Sequence, residues 1–340
     1  KKFADATNKK AGEFYTPRTV VNLMIRILDP KEGETIYDPA CGTGGMLIEA
    51  IQHVKDNGGN VRKLWGKLYG QEKNLTTSSI ARVNCFLHGV EDFKIFRGDT
   101  LRAPAFHSGD SLSKFDCVIA NPPFSLEKWG EEVWASDPYG RNFAGMPPSK
   151  SGDFAWVQHM VQSMSPRKGR MAVVLPHGAL FRMGKEGTIR KKLLSMDILD
   201  AVIGMGPNLF YGTGLAACIM VFRKTKPAKR KKQVLIVDAS SQFKKGRAQN
   251  ELLIGHVDQI FQWYRDYQDV EGVARCVPLD EIKENDWNLN IPSYIEPIIE
   301  EETITVAEAI ENLKVSLHAA YAAEDRLKEL LIQHGLMESK

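Results

Sequence analysis

Two short blocks of this sequence hold residue types that chemistry can use. The first is Asn121-Pro122-Pro123-Phe124, directly after the apolar run 115–120. Two prolines in a row fix φ twice and remove two backbone donors, so strand pairing stops and the backbone becomes rigid. The Asn121 side-chain oxygen and the Pro122 carbonyl then offer two acceptors to the hydrogens of one amino group. An exocyclic amine on a purine is a poor nucleophile, because its lone pair is delocalised into the ring. Two acceptors on its hydrogens favour a pyramidal nitrogen whose lone pair can attack a methyl sulfonium. Such catalysis is positional and electrostatic, without a covalent protein nucleophile. Phe124 supplies a face on which a base can stack. The plainer reading of the block is a Pro-rich loop with a packed Phe.

The second block is Asp38-Pro39-Ala40-Cys41-Gly42-Thr43-Gly44-Gly45, between an apolar run and a helical pattern. Glycines after a first strand let a ligand approach the backbone, and the helix that follows presents free N–H groups. A dinucleotide fingerprint fails here, because Leu47 occupies its third glycine position, and no P-loop pattern is present. Glu72 and Asp99 stand at the ends of the next two apolar runs. The first is placed to accept from ribose hydroxyls, the second from the exocyclic amine of a bound adenine. Either acid alone is more often a solvated strand end. Three acids at three successive strand ends, Asp38, Glu72 and Asp99, point to a shared crevice.

These residues need a scaffold that brings strand ends together. Apolar runs cover 35–40, 67–72, 94–98, 115–120, 170–176, 199–205 and 216–223, with helical patterns at 43–54, 76–88 and 154–164. Short, continuously apolar runs are typical of strands buried on both faces. The expected fold is α/β: a doubly wound, mostly parallel, seven-stranded sheet. The short link 204–214 predicts an antiparallel hairpin at one sheet edge. A further strand is expected at 234–239. The catalytic region is expected to span 1–240, with an upstream motif and helix in 1–34. Residues 241–340 read as a mostly helical extension, with an irregular stretch at 284–297 and a long helix at 306–334.

Bulk properties exclude more than they assign. The 340 residues are 43% hydrophobic and carry a net charge of +3, too little to argue for nucleic acid. Five dispersed cysteines without a C-x-x-C pair read as reduced thiols in a cytosolic protein and give no zinc framework. No metal site is expected. No apolar run approaches the ~20 residues that cross a bilayer, and the expected location is the cytoplasm. Eight dispersed histidines without a zinc motif, and the lack of a G-x-S-x-G elbow, leave hydrolase and deaminase chemistry unsupported. The chain opens on Lys1 instead of Met, so further N-terminal residues are expected to precede it.

Together these pieces resemble the N6-adenine DNA methyltransferases, in particular the modification subunit of type I restriction-modification systems. The likeness covers nearly the whole chain. It rests on D-P-A-C-G-T-G-G, N-P-P-F, the upstream Gly12-Glu13-Phe14-Tyr15-Thr16-Pro17-Arg18, and downstream Val173–Gly178 and Asn208–Gly214. The resemblance implies an S-adenosylmethionine-dependent methyltransferase sheet acting on double-stranded DNA. It implies cofactor contacts from Glu13, Phe14, Tyr15, Thr16, Pro17, Arg18, Asp38, Gly42, Thr43, Gly44, Gly45, Glu72 and, more weakly, Asp99. It implies catalytic roles for Asn121, Pro122, Pro123 and Phe124, and base stacking by Phe124 and Phe210. Phe210 reads equally well as a core residue near the hairpin. Implied partners are a specificity subunit that reads the sequence, a second modification subunit, and a restriction subunit; no membrane is implied. In that family a helical domain precedes the region that opens here.

Two readings from other classes stay open. N-P-P-Y-like loops also serve methyltransferases acting on a protein glutamine, and a scaffold can keep this fold without catalysis. The upstream motif and Phe at 124 favour DNA, and the intact Asn121 and glycine loop favour an enzyme. Seven of the ten residues 223–232 are basic. They read as a solvated loop or as a phosphate contact. The C-terminal helix begins at a capping-box pattern, Thr305 to Glu308. Val306, Ile310, Leu313, Leu317 and Ala320 follow a coiled-coil spacing that Glu324 interrupts and Leu327 and Leu331 resume. That face either covers the chain's own core or, as the resemblance implies, docks on the helices of a specificity subunit.

Overall fold

The computed structural model describes residues 16–210, 214–296 and 305–337, so Glu13, Phe14 and Tyr15 lie outside the described residues. Nine strands form the central sheet: β1 (Ile36–Asp38), β2 (Leu68–Glu72), β3 (Lys94–Arg97), β4 (Cys117–Ala120), β5 (Arg170–Pro176), β6 (Leu199–Met205), β7 (Ala217–Arg223), β8 (Gln233–Ala239) and β9 (Ala274–Pro278). Their order across the sheet is β9-β8-β6-β7-β5-β4-β1-β2-β3. β3, β2, β1, β4 and β5 run parallel. β7 is antiparallel to both β5 and β6. The order reverses between β1 and β4, and the crevice above that switch point is where such sheets bind ligands.

Burial explains the unbroken apolar runs. Every residue of β5 and β6 is buried, as both faces of the sheet are covered. One face carries α1 (Arg18–Leu28), α2 (Gly45–Asp56) and α6 (Ile254–Asp266), with Leu23, Leu47 and Ile260 in a common core. The other carries α4 (Asp153–Ser163) and α5 (Lys185–Ser195), with Phe154, Val157 and Leu193 in a second core. Between α2 and α4 in the chain, α3 (Leu75–Leu87) follows β2.

The β6–β7 hairpin forms as expected, but it is interior and the sheet has nine strands instead of seven. β8 pairs in parallel with β6, and β9 closes antiparallel on β8. The reason is that β6 is buried throughout and needs pairing on both sides. β9 escaped the sequence reading because Ala-Arg-Cys-Val-Pro shows little alternation. Residue 240, expected to end the catalytic region, falls inside a compact unit that extends to Pro297.

Ile298–Lys340 forms a separate unit. Its helix α7 (Val306–Gln333) starts at the expected capping box, with Glu308 N donating to Thr305 Oγ1 at 3.2 Å and Thr305 N donating to Glu308 Oε2 at 2.8 Å. None of its residues is buried. Among the described residues no helix is long and apolar enough to cross a membrane, and no cluster of His, Cys, Asp and Glu can hold a metal.

Candidate functional site

The ends of β1, β2 and β4 meet at one edge of the sheet, and the loops that leave them are fastened to one another. After Asp38 the chain turns through Gly42 and Gly44, both at positive φ. Gly44, at φ +83°, opens α2, and an added Cβ would sit 3.4 Å from the Ala81 side chain. A bulkier residue there would strain the backbone and press on α3. Cys41 N donates to Gln71 O at 3.0 Å, Asn84 Nδ2 to Thr43 O at 2.9 Å, and Thr100 Oγ1 to Pro39 O at 2.6 Å. The loop is therefore held from β2, from α3 and from the segment after β3.

Beside it lies a cavity of about 380 Å³. Of the residues singled out in the sequence, Thr16, Arg18, Asp38, Gly42, Thr43, Gly45 and Asn121 line it. Val21, Met46, Glu49 and His88 are added by the fold. Pro17, Gly44, Glu72 and Asp99 are not on its wall.

Two acids give the site its electrostatics. Asp38 is 2% exposed, and burial pushes its carboxyl up to about 8. The Ala40 N–H pulls the other way, and the charge of Glu72 adds to the rise. Glu72 Oε2 accepts from Gly42 N at 3.1 Å and Oε1 from Asn74 N at 2.7 Å. Each oxygen keeps a further lone pair for a ligand hydroxyl. A buried acid pair short of counter-charge favours a cationic ligand. Asp99 is occupied elsewhere: its Oδ2 takes Lys73 Nζ at 2.9 Å and its Oδ1 takes Arg102 N at 3.3 Å.

The tetrapeptide stands at the end of β4. Asn121 Nδ2 donates to Thr16 Oγ1 at 2.9 Å. This leaves Asn121 Oδ1 buried and without a hydrogen-bond partner among the described residues. A buried amide oxygen left unpaired costs free energy; here it lies beside the cavity as a ready acceptor. Phe124 is half-buried. Phe210 is only 4% exposed, and its ring meets Phe124 edge-on at 6.0 Å. Its packing is that of a core residue supporting Phe124, so Phe124, only half-buried, is the stacking candidate that remains.

Behind the loop is a polar clamp that the sequence did not announce. Ser125, at φ +48°, donates its N–H to Asp153 Oδ1 at 2.7 Å. Arg182 forms ion pairs with Asp153 at 2.6 Å and Glu186 at 2.8 Å. Neither this clamp nor the Thr16–Asn121 bond has a local sequence signal, since the partners lie 28 and 105 residues apart.

A family model described as N-6 DNA Methylase matches residues 1–303. The MjaVII methylase subunit, a type I restriction enzyme component from Methanocaldococcus jannaschii, is 39% identical over 317 residues, 90% of this chain and 53% of that protein. The HindI methylase subunit of Haemophilus influenzae is 31% identical over 96% of this chain and 73% of its own length. The crystal structure of a type I restriction-modification methyltransferase subunit from Streptococcus thermophilus superposes with a TM-score of 0.77 at 36% identity. That match covers 87% of this chain and 62% of the streptococcal one. The chain spans about half the length of the archaeal relative.

Proposed function

The chain belongs to the N-6 DNA methylase family, and on that premise we propose that it transfers a methyl group from S-adenosylmethionine to the N6 amine of adenine in double-stranded DNA. It does so as the methylase subunit of a type I restriction-modification complex. The observation that carries this reading is the buried, unpartnered Asn121 Oδ1 at the edge of the cavity. A carbonyl oxygen there meets its hydrogen-bonding requirement when an amino group arrives.

The residues fit the cofactor. Asp38 and Glu72 suit a molecule bearing positive charge and ribose hydroxyls, and Arg18 suits its carboxylate. The backbone of Gly42–Gly45 allows close approach. S-adenosylmethionine, when bound, supplies an electrophilic methyl group. Asn121 Oδ1 and the Pro122 carbonyl accept the two hydrogens of the target amine and direct its lone pair. Phe124 stacks on the base, and the Asp153 clamp keeps the loop in place. Sequence reading falls to a specificity subunit, with a second methylase subunit and a restriction subunit completing the assembly. The exposed face of α7 is the proposed docking element for the specificity subunit.

The test is Asn121→Ala, assayed with partner subunits and duplex DNA by N6-methyladenine formation. Loss of a positioned transition-state contact typically costs ~10²–10³ in rate. Cofactor affinity by calorimetry should persist. Methylation by Asn121→Ala at the wild-type rate would refute the mechanism. Transfer to a protein glutamine, with none to DNA, would favour the other substrate class.

A further inference from the structure

The basic tract at 223–232 is where the sequence invites a search for a polyanion contact, and the fold places it at the wrong end of the sheet. Arg223, the last residue of β7, sits opposite Arg170, the first residue of β5. The tract therefore lies at the edge away from the cofactor loop and Asn121. Much of its charge is also internal. Arg223 and Arg230 both pair with the buried Asp200, at 3.1 and 2.9 Å, and Lys226 Nζ pairs with Asp197 at 2.7 Å.

A second, shorter basic run stands at the catalytic edge. β8 pairs in register with β6 so that Ala239 lies opposite Met205, and the loop after it carries Lys244, Lys245 and Arg247. All three are exposed. Their side chains take part in no ion pair or hydrogen bond among the described residues. The segment 239–250 contains no acid.

This loop has a defined shape. Lys244 and Glu251 exchange backbone hydrogen bonds of 2.8 and 2.9 Å. Gly246 admits no side chain, since an added Cβ would lie 1.9 Å from Gln249 O. The loop is also tied to the segment 206–210 that follows β6. Asn250 N donates to Asn208 O at 2.9 Å, Asn250 Nδ2 to Pro207 O at 2.9 Å, and Gln249 Nε2 to Leu209 O at 2.7 Å. The next residue, Phe210, contacts Phe124 of the catalytic tetrapeptide. The three cations are thus held at a fixed offset from the place where the target base would stack.

We infer that Lys244, Lys245 and Arg247 form a phosphate clamp that grips the DNA backbone beside the target adenine. The inference rests on the reading of the site as a DNA methyltransferase. Three exposed cations within four residues, none in an ion pair among the described residues, make a local positive field that attracts a polyanion. Duplex DNA offers one negative charge per ~1.7 Å of axis, so successive phosphates can meet all three.

The experiment compares the full chain with its Lys244→Gln/Lys245→Gln/Arg247→Gln variant, each assembled with its partner subunits, on a duplex oligonucleotide containing adenines, across salt concentrations, with slopes taken per copy of the chain. Each lost phosphate contact lowers the slope of log affinity against log salt by ~0.9, so the variant slope should fall by about 2.7. Between 50 and 200 mM salt the wild-type chain should then lose about 40-fold more affinity than the variant. Cofactor affinity should be unchanged. A control variant, Lys229→Gln/Lys231→Gln/Lys232→Gln at the opposite edge, should keep the wild-type slope. If the loop variant keeps the wild-type slope while the wild-type chain binds and methylates DNA, the clamp is refuted and the methyltransferase reading stands. If the wild-type chain, assembled with its partner subunits, binds cofactor but neither binds nor methylates duplex DNA, that reading falls and the clamp falls with it.

Discussion

Thr16→Val isolates the bond that decides which end of the Asn121 amide faces the substrate. The two ends of a carboxamide are nearly equal in size, so packing distinguishes them poorly. Only hydrogen bonding fixes the acceptor toward the amine, and among the described residues Asn121 Nδ2 donates to Thr16 Oγ1 alone, at 2.9 Å. Valine keeps the volume and removes the acceptor. The lost preference is that of one neutral hydrogen bond, about 0.5–1.5 kcal/mol; once it is gone the two orientations are about equally populated, so kcat falls roughly 1.4- to 1.9-fold. In the flipped state Asn121 would present a donor to the target amine, which is also a donor, so that fraction of the enzyme is inactive. The assay is initial-rate N6-methyladenine formation at saturating DNA and cofactor, alongside calorimetry. kcat should fall within that range while cofactor affinity is unchanged. Thr16→Ser, which keeps the hydroxyl, should recover most of the rate. A Thr16→Val enzyme with wild-type kcat, or equal losses for Val and Ser, would refute the orienting role. An equal fall in cofactor affinity would show that Thr16 serves only the cavity wall.

Two further outcomes follow from the same geometry. Burial holds the Asp38 carboxyl up at about 8, against 3.8 for the ordinary group. The stability linked to its retained proton is complete below about pH 4 and gone once the pH has passed about 8, falling by up to ~1.4 kcal/mol per unit between. Urea melts of the cofactor-free chain at pH 5, 6.5 and 8 should show this decline, and Asp38→Asn should flatten it; matching slopes would contradict the assignment. Removing 306–340 takes away a helix with no buried residue, so melting temperature and cofactor binding should be retained while co-elution with the specificity subunit is lost. A truncated chain that still co-elutes would show that α7 is not the principal docking element.

What could be read in the sequence depended on how far apart the interacting residues are. The glycine loop and Asn121-Pro122-Pro123-Phe124 act through their own backbone, so residue type at fixed spacing announces them. The capping box at Thr305 and Glu308 is legible for the same reason, since both partners lie within one turn. β1, β2 and β4 to β8 declare themselves because strands buried on two faces are built largely from apolar residues. β9 does not, because an outer strand needs backbone pairing more than apolar side chains.

Long-range polar bonds are different in kind. Thr16 reaches Asn121, Asp153 reaches Ser125, and Thr100 reaches Pro39 only after the sheet has closed. Charge runs fail for the same reason. The density of cations at 223–232 says nothing about Asp197 and Asp200, which meet three of them in the folded chain. The three cations at 244–247 look weaker in sequence and are freer in structure, because their side chains enter no ion pair among the described residues and the loop's own backbone bonds, Lys244 to Glu251 included, give it its shape. Available charge, set by topology, decides where a polyanion can bind. Sequence charge counts both runs alike, while the fold retires one and delivers the other to the edge where Asn121 stands.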